Sequence, residues 1–187
     1  MKLFLVRHGE TEENLAGLLM GQDHGVLTEK GKAQAKETAL KLKEYTFAHI
    51  FSSDLNRCVD TSLFIKEFHP ETPLTFTPEL RERHLGVFQG KHHTSVDWES
   101  LPGAEDDKKP EGGESVSELK TRVLDFVKKL YDQYPDETIL CVSHNAWIKQ
   151  IVAHYMNTRS LELPKINNAQ VIEVEVEDNL GGRIVNM

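Results

Sequence analysis

Lys2-Leu3-Phe4-Leu5-Val6-Arg7-His8-Gly9-Glu10-Thr11 opens the chain, and the rest is read outward from it. The apolar run is too short for a helix and has the form of a strand buried on both faces. It stops at a charged, glycine-containing turn, so Arg7 and His8 are delivered at the strand's carboxyl end. Two later stretches repeat the arrangement. His49-Ile50-Phe51 runs into Ser52-Ser53-Asp54-Leu55-Asn56-Arg57, and Thr138-Ile139-Leu140-Cys141-Val142 runs into Ser143-His144-Asn145. Leu74–Phe76 reads as another strand, and Val171–Val176 and Arg183–Val185 as two terminal ones.

Helical patterns fall between them. Thr28 is an N-cap candidate, with Glu29 in the first turn and helix formers to about Glu44. Leu55 to Phe68 carries apolar residues at helical spacing and is closed by Pro70 and Pro73. Ser115 and Glu118 form a capping box for a helix to about Tyr134. A further helix follows Asn145 to about Met156. Arg81 to Gly113 is polar and rich in glycine, with one short helix expected near Ser95–Leu101. Strands alternating with helices predict a three-layer α/β/α sandwich with a mostly parallel central sheet. One domain is expected over residues 1–187, with a lid or insert at about 84–113.

Charged residues make up 28 % and the apolar set 39 %, an ordinary soluble balance. No apolar stretch is long enough to span a bilayer. The first apolar run is only four residues and meets a charge at once, unlike a signal peptide, so the cytoplasm is the expected location. Cys58 and Cys141 lie in apolar segments and read as buried thiols, not a disulfide. The net charge of -8 argues against nucleic acid and anionic membrane as partners. No oligomeric state is implied.

In open α/β sheets, ligands bind beyond the carboxyl ends of the strands. Arg7, His8, Arg57 and His144 would therefore converge at one sheet edge. An acidic chain that gathers cations in one crevice is building an anion site, and the arginine fork suits phosphate. Each residue also has an ordinary role open to it. Arg7 could cap a strand, His8 could hydrogen-bond within its loop, and Arg57 could pair on a helix surface. His144 could cap the following helix, and Glu82 could simply be solvated.

Their joint occurrence resembles the histidine phosphatase (phosphoglycerate mutase-like) superfamily over about residues 1–155. Arg7-His8-Gly9-Glu10-Thr11 is similar to its signature, and Asn14, Gly21, Gln22, Asp23, Leu27, Thr28 and Gly31 to its continuation. Ser52–Leu55 with Arg57 and Thr61 is similar to the second motif, and Leu80–Gly86 with Gln89-Gly90 to the third. Gly112–Ser115 and Val142–His144 complete the set. The resemblance implies that His8 attacks phosphorus and becomes phosphohistidine. Arg7, Arg57 and His144 would hold the phosphoryl oxygens, with His144 best protonated. Glu82 would protonate the leaving group and then activate water, helped by desolvation from the loop after it. Asn14, Gly21, Gln22, Arg83 and Asn145 would complete substrate binding, Asn145 through its backbone N–H. No metal or cofactor is called for; the adjacent His92 and His93, among nine histidines, read as a solvated pair.

Two departures bear on substrate. Asn145 stands where most of the family has glycine, and Leu85 where mutases and several fructose bisphosphatases have tyrosine. The stretch from Arg83 to Glu111 contains one arginine, too few to seal a mutase pocket. Hydrolysis of a small phosphorylated metabolite is therefore expected over phosphoglycerate mutase activity or a non-catalytic phosphate-binding role. Local wording around Ser143–Lys149 and Pro110–Ser115 is most similar to TIGAR-like fructose-2,6-bisphosphatases and broad-specificity phosphatases.

Overall fold

The computed structural model describes residues 1–187. Six strands form one sheet: β1 (Lys2–Arg7), β2 (His49–Ser53), β3 (Leu74–Thr77), β4 (Thr138–Ser143), β5 (Val171–Val176) and β6 (Gly182–Asn186). Their order is β3-β2-β4-β1-β5-β6. Pairs β3–β2, β2–β4 and β4–β1 are parallel, and β5 and β6 add antiparallel to the β1 side. The five helices are α1 (Glu12–Leu15), α2 (Glu29–Leu42), α3 (Asn56–Lys66), α4 (Val116–Gln133) and α5 (Asn145–Met156).

Strand alternation sorts the core into two layers. Phe4 and Val6 of β1, with Leu140 and Val142 of β4, pack against Ala39 and Leu42 of α2 and Cys58 and Ile65 of α3. Leu3, Leu5, Ile139 and Cys141 point the other way, onto Leu119, Val123 and Phe126 of α4 and Trp147, Ile148 and Ile151 of α5. The chain leaving β1 goes to the α2–α3 layer, and the chain leaving neighbouring β4 goes to the α4–α5 layer. A crevice opens where they part, outside the carboxyl ends of β1 and β4. His8 and His144 follow those two strands.

The caps read from the sequence form: Thr28 Oγ accepts from Gly31 N, and Ser115 and Glu118 make a reciprocal box. Both cysteines are buried and unpaired. No helix is long and apolar enough to cross a membrane. The helix expected at Ser95–Leu101 does not form. His93–Ser95 makes a single 3-10 turn, and Asp97 Oδ1 accepts the N–H groups of Glu99 and Ser100, which closes a local turn in competition with a helix. Conversely, α1 lies inside the segment read as loop, held by a Thr11–Asn14 capping box.

Candidate active site

Arg7 ends β1, and His8 begins the loop that follows. That loop is pressed onto α2 so closely that a Cβ on Gly9 would lie 2.4 Å from the Gly31 carbonyl oxygen. Only glycine permits this approach. Thr61 of α3 bridges the two sides: its hydroxyl accepts from Gly9 N (3.0 Å) and donates to the Arg57 carbonyl (2.7 Å).

His8 is 3 % exposed, and its Nδ1 lies 2.7 Å from the Gly9 carbonyl. A carbonyl only accepts, so Nδ1 carries the hydrogen and Nε2 keeps its lone pair. Burial, then the charges of Arg57 and Arg7, hold the ring well below the ordinary histidine pKa. His8 is thus a neutral base under cationic surroundings. Arg7 donates through Nη1 to the Ile166 carbonyl, while its buried Nε has no partner within the protein. Burial brings its pKa down to about 10, partly offset by Glu82, so it remains cationic at neutral pH.

Arg57, in the first turn of α3, donates from Nη1 to the Asp23 carbonyl (2.6 Å) and from Nη2 to the Gly21 carbonyl (2.8 Å). Its Nε reaches His144 Nδ1 at 3.2 Å. His144 is fully buried, and its other nitrogen lies 2.9 Å from Ser53 Oγ. Arginine only donates, so His144 Nδ1 accepts and the ring is neutral with its hydrogen on Nε2. Burial and the neighbouring Arg57 set its pKa well below the ordinary value. This differs from the expected imidazolium. The ring centroid stands 5.2 Å from that of His8, behind the residues that line the cleft.

Glu82 follows the 3-10 turn after β3 and is half-buried, sharing the cleft wall with Leu85 and Trp98 of the loop after it. Its carboxyl accepts from the backbone N–H of Arg83 (2.9 Å) and of Ala146 (3.1 Å) in the first turn of α5. The surrounding backbone is clamped by Arg122 of α4, which donates to the carbonyls of Glu79, Arg81 and Glu82 and pairs with Glu114. Arg122 escapes a sequence reading because its helical neighbourhood looks like a solvated face.

The cleft encloses about 260 Å³ and is lined by Arg7, His8, Asn14, Gly21, Arg57, Glu82, Arg83 and Asn145, with an apolar wall that includes Leu85 and Trp98. Asn14 Oδ1 accepts from Asn168 and from Thr11 N, while its amide N–H₂ makes no hydrogen bond within the protein. Gly21 contributes its backbone. Gln22 is not on the wall: its amide donates to the Glu82 carbonyl and accepts from Arg81, so it braces the Glu82 loop. Arg83 reaches the wall with Nε and Nη2 already committed to the carbonyls of Glu114 and Lys108, and its guanidinium stacks over Trp98 at 5.1 Å. Asn145 Oδ1 accepts from Ile166 N (2.9 Å). The rings of His92 and His93 lie 4.5 Å apart, tilted by 33°, on the exposed loop, tied locally to Thr94 and to the Gly17 carbonyl.

One segment was silent in the sequence. Residues 163–170 wrap the His8 loop: Ala169 N donates to the carbonyls of Arg7 (3.0 Å) and His8 (3.2 Å). Asn168 Nδ2 also donates to the His8 carbonyl. The segment brings Lys165 to the cleft. Its only sequence signal is the turn-prone pair Asn167-Asn168.

This constellation, on a parallel sheet with its crevice between β1 and β4, defines a histidine-based anion-handling site. The chain belongs to the histidine phosphatase superfamily (branch 1), whose profile matches residues 3–186. It is 34 % identical to a metal-independent phosphoserine phosphatase of Arabidopsis thaliana, covering 95 % of this chain and 77 % of that protein. It is also 34 % identical to an adenosylcobalamin/alpha-ribazole phosphatase of Salmonella typhimurium, covering 87 % and 83 %. The structure of a mycobacterial glucosyl-3-phosphoglycerate phosphatase with VO3 superposes with a TM-score of 0.85 at 28 % identity, over 99 % of this chain and 97 % of that one.

Proposed function

We propose that the protein hydrolyses phosphomonoesters of small metabolites through a phosphohistidine at His8. The observation that carries this reading is the tautomer of His8. Nδ1–H is fixed on the Gly9 carbonyl, and the free Nε2 belongs to a ring on the cleft wall beside Arg7 and Arg57. Its lone pair forms the P–N bond as the ester P–O bond breaks. Glu82 gives its proton to the departing oxygen. Water then attacks phosphorus and returns a proton to Glu82, and P–N cleavage restores His8 and releases inorganic phosphate.

Arg7 and Asn14 donate to the phosphoryl oxygens, and Arg57 supplies positive charge at its fixed position. His144 acts chiefly through Arg57, whose Nε it receives. A bound phosphoryl dianion supplies the counter-charge under which His144 takes up a proton. Residues 84–113 form a lid on the cleft, pinned by Arg83. We place the enzyme in the cytoplasm, a reading supported by its two unpaired thiols.

The relatives named for phosphoserine, alpha-ribazole and glucosyl-3-phosphoglycerate support a phosphorylated-metabolite substrate. Fructose-2,6-bisphosphate belongs in the same substrate panel because of the TIGAR-like wording around His144. Hydrolysis of p-nitrophenyl phosphate by wild type and His8→Ala tests the proposal. A loss of at least about 10³-fold is expected, with an acid-labile phosphoenzyme trapped only in wild type. Comparable turnover by His8→Ala would refute the assignment. Activity should persist in EDTA, since no step uses a metal.

A further inference from the structure

Four cations line the cleft: Arg7, Arg57, Arg83 and Lys165. Three of them have guanidinium donors already engaged by the protein. Arg57 is held by the carbonyls of Gly21 and Asp23 and by His144. Arg83 is held by the carbonyls of Glu114 and Lys108 and by the face of Trp98. Arg7 is tied to Ile166 at one corner. Lys165 differs. Its side chain is exposed, and its ammonium makes neither a hydrogen bond nor an ion pair; partial burial and nearby Arg7 lower its pKa, and Glu10 works against them.

Its backbone, by contrast, is fixed. Pro164 precedes it and restricts the approach. Ile166 follows it, with its N–H on Asn145 Oδ1 and its carbonyl on Arg7 Nη1. Both anchors are residues of the cleft, so Lys165 is presented by a clamped segment while its three donors stay free. Charge matching says what they meet. The two floor cations, Arg7 and Arg57, balance a phosphoryl dianion, and Glu82 is neutral when it acts as the acid. Two cations remain, but Arg83 has Nε and Nη2 committed to protein carbonyls, so Lys165 is the one with every donor free, and a single ammonium matches one singly charged group on the leaving-group side.

We propose that Lys165 is the specificity residue of this enzyme and that it receives a carboxylate of the substrate, making phosphomonoesters of hydroxy acids the preferred class. Arg83, expected from the sequence to bind substrate, serves instead as the pin that holds Trp98 and the 84–113 loop. This inference rests on the phosphatase reading above, and its test separates the two.

3-Phosphoglycerate and glycerol 3-phosphate differ in carrying a carboxylate or a hydroxymethyl group at one carbon. Each is titrated as a competitive inhibitor of p-nitrophenyl phosphate hydrolysis, which reads affinity whether or not the ligand is turned over. Wild type should favour 3-phosphoglycerate by about tenfold, the scale of one charge-assisted contact. Lys165→Met should bring the ratio to within about twofold of unity, and Lys165→Arg should keep most of it. An unchanged ratio in Lys165→Met, or no preference in wild type, overturns the proposal. So does an equal loss of affinity for both ligands, which would place Lys165 on the phosphoryl group. If wild type fails to hydrolyse p-nitrophenyl phosphate, the phosphatase reading fails instead. Calorimetric titration of the same two ligands then reads the same ratio.

Discussion

At the floor of the cleft, Arg7, His8, Arg57 and His144 are each at most 3 % exposed; every nitrogen of the Arg57 and His144 side chains has a fixed protein partner, and Arg7 and His8 are each held by one backbone carbonyl. At the rim, Lys165 is exposed with a free ammonium, and residues 86–109 are held by turns and a few side-chain contacts. The floor stands on the ends of three strands, where backbone positions follow from sheet register. The rim stands on loops, where position depends on which side chain captures which carbonyl. Chemistry that demands an atom held to a fraction of an ångström is placed on the sheet. The proposed selection among leaving groups falls where residues can change without disturbing the core.

The sharpest way to break this division is at Glu82, which the proposed chemistry assigns to the floor and which stands on a loop. Glu82→Gln keeps the size and one acceptor oxygen, able to receive both Arg83 N and Ala146 N, but removes the transferable proton. Alkyl phosphates with poor leaving groups should lose about 10²- to 10⁴-fold in kcat. p-Nitrophenyl phosphate, whose leaving group departs unaided, should lose much less in the phosphorylation step. Equal losses with both substrates would show that Glu82 positions the cleft and does not supply the proton. Its bonds to Arg83 N and Ala146 N make that alternative structurally concrete.

A smaller effect is expected from acid. His8 and His144 are both held below the ordinary histidine pKa by burial first and by neighbouring charges second. The unfolded chain takes up protons near pH 6.5 that the native rings refuse. The stability this provides is complete above that pH and drains away as pH falls toward the folded values. Two such groups allow a slope of up to about 2.7 kcal/mol per pH unit. Urea unfolding between pH 7.5 and 5 measures it. His49 and His69 shift in the same direction, so His8→Asn and His144→Asn identify the floor's share by flattening the slope. A flat wild-type profile would mean the floor histidines are charged when folded.

The same contrast explains what the sequence discloses. The floor was legible because its residues adjoin strands: Arg7-His8 and Ser143-His144 need only strand identity and direction to be brought together. The rim was not. Arg83 looks like a ligand-binding arginine beside Glu82, and nothing local indicates that the carbonyls of Glu114 and Lys108 will occupy its fork. Gln22 reads as a phosphate donor until the Glu82 loop folds over it. Lys165 lies in a stretch without periodicity, and its approach to the cleft depends on contacts with Arg7 and Asn145, distant in sequence. The protonation of His144 is a further case. Its neutral state follows from Arg57 Nε facing Nδ1, a fact of orientation that no motif encodes.

The smallest effect should come from the residue that joins floor to rim. Asn145 caps nothing with its side chain; Oδ1 receives the Ile166 N–H, and Ile166 in turn receives Arg7. Glycine at this position keeps the backbone N–H at the start of α5 but removes the tether. Asn145→Gly should therefore raise KM for 3-phosphoglycerate about threefold, the scale of one neutral hydrogen bond, with kcat little changed, because Lys165 is held less firmly while His8 is untouched. The preference over glycerol 3-phosphate should fall with it. A drop in kcat at unchanged KM would place Asn145 on the floor, acting through the His144 turn. The split between those two parameters decides whether the asparagine serves selection or chemistry.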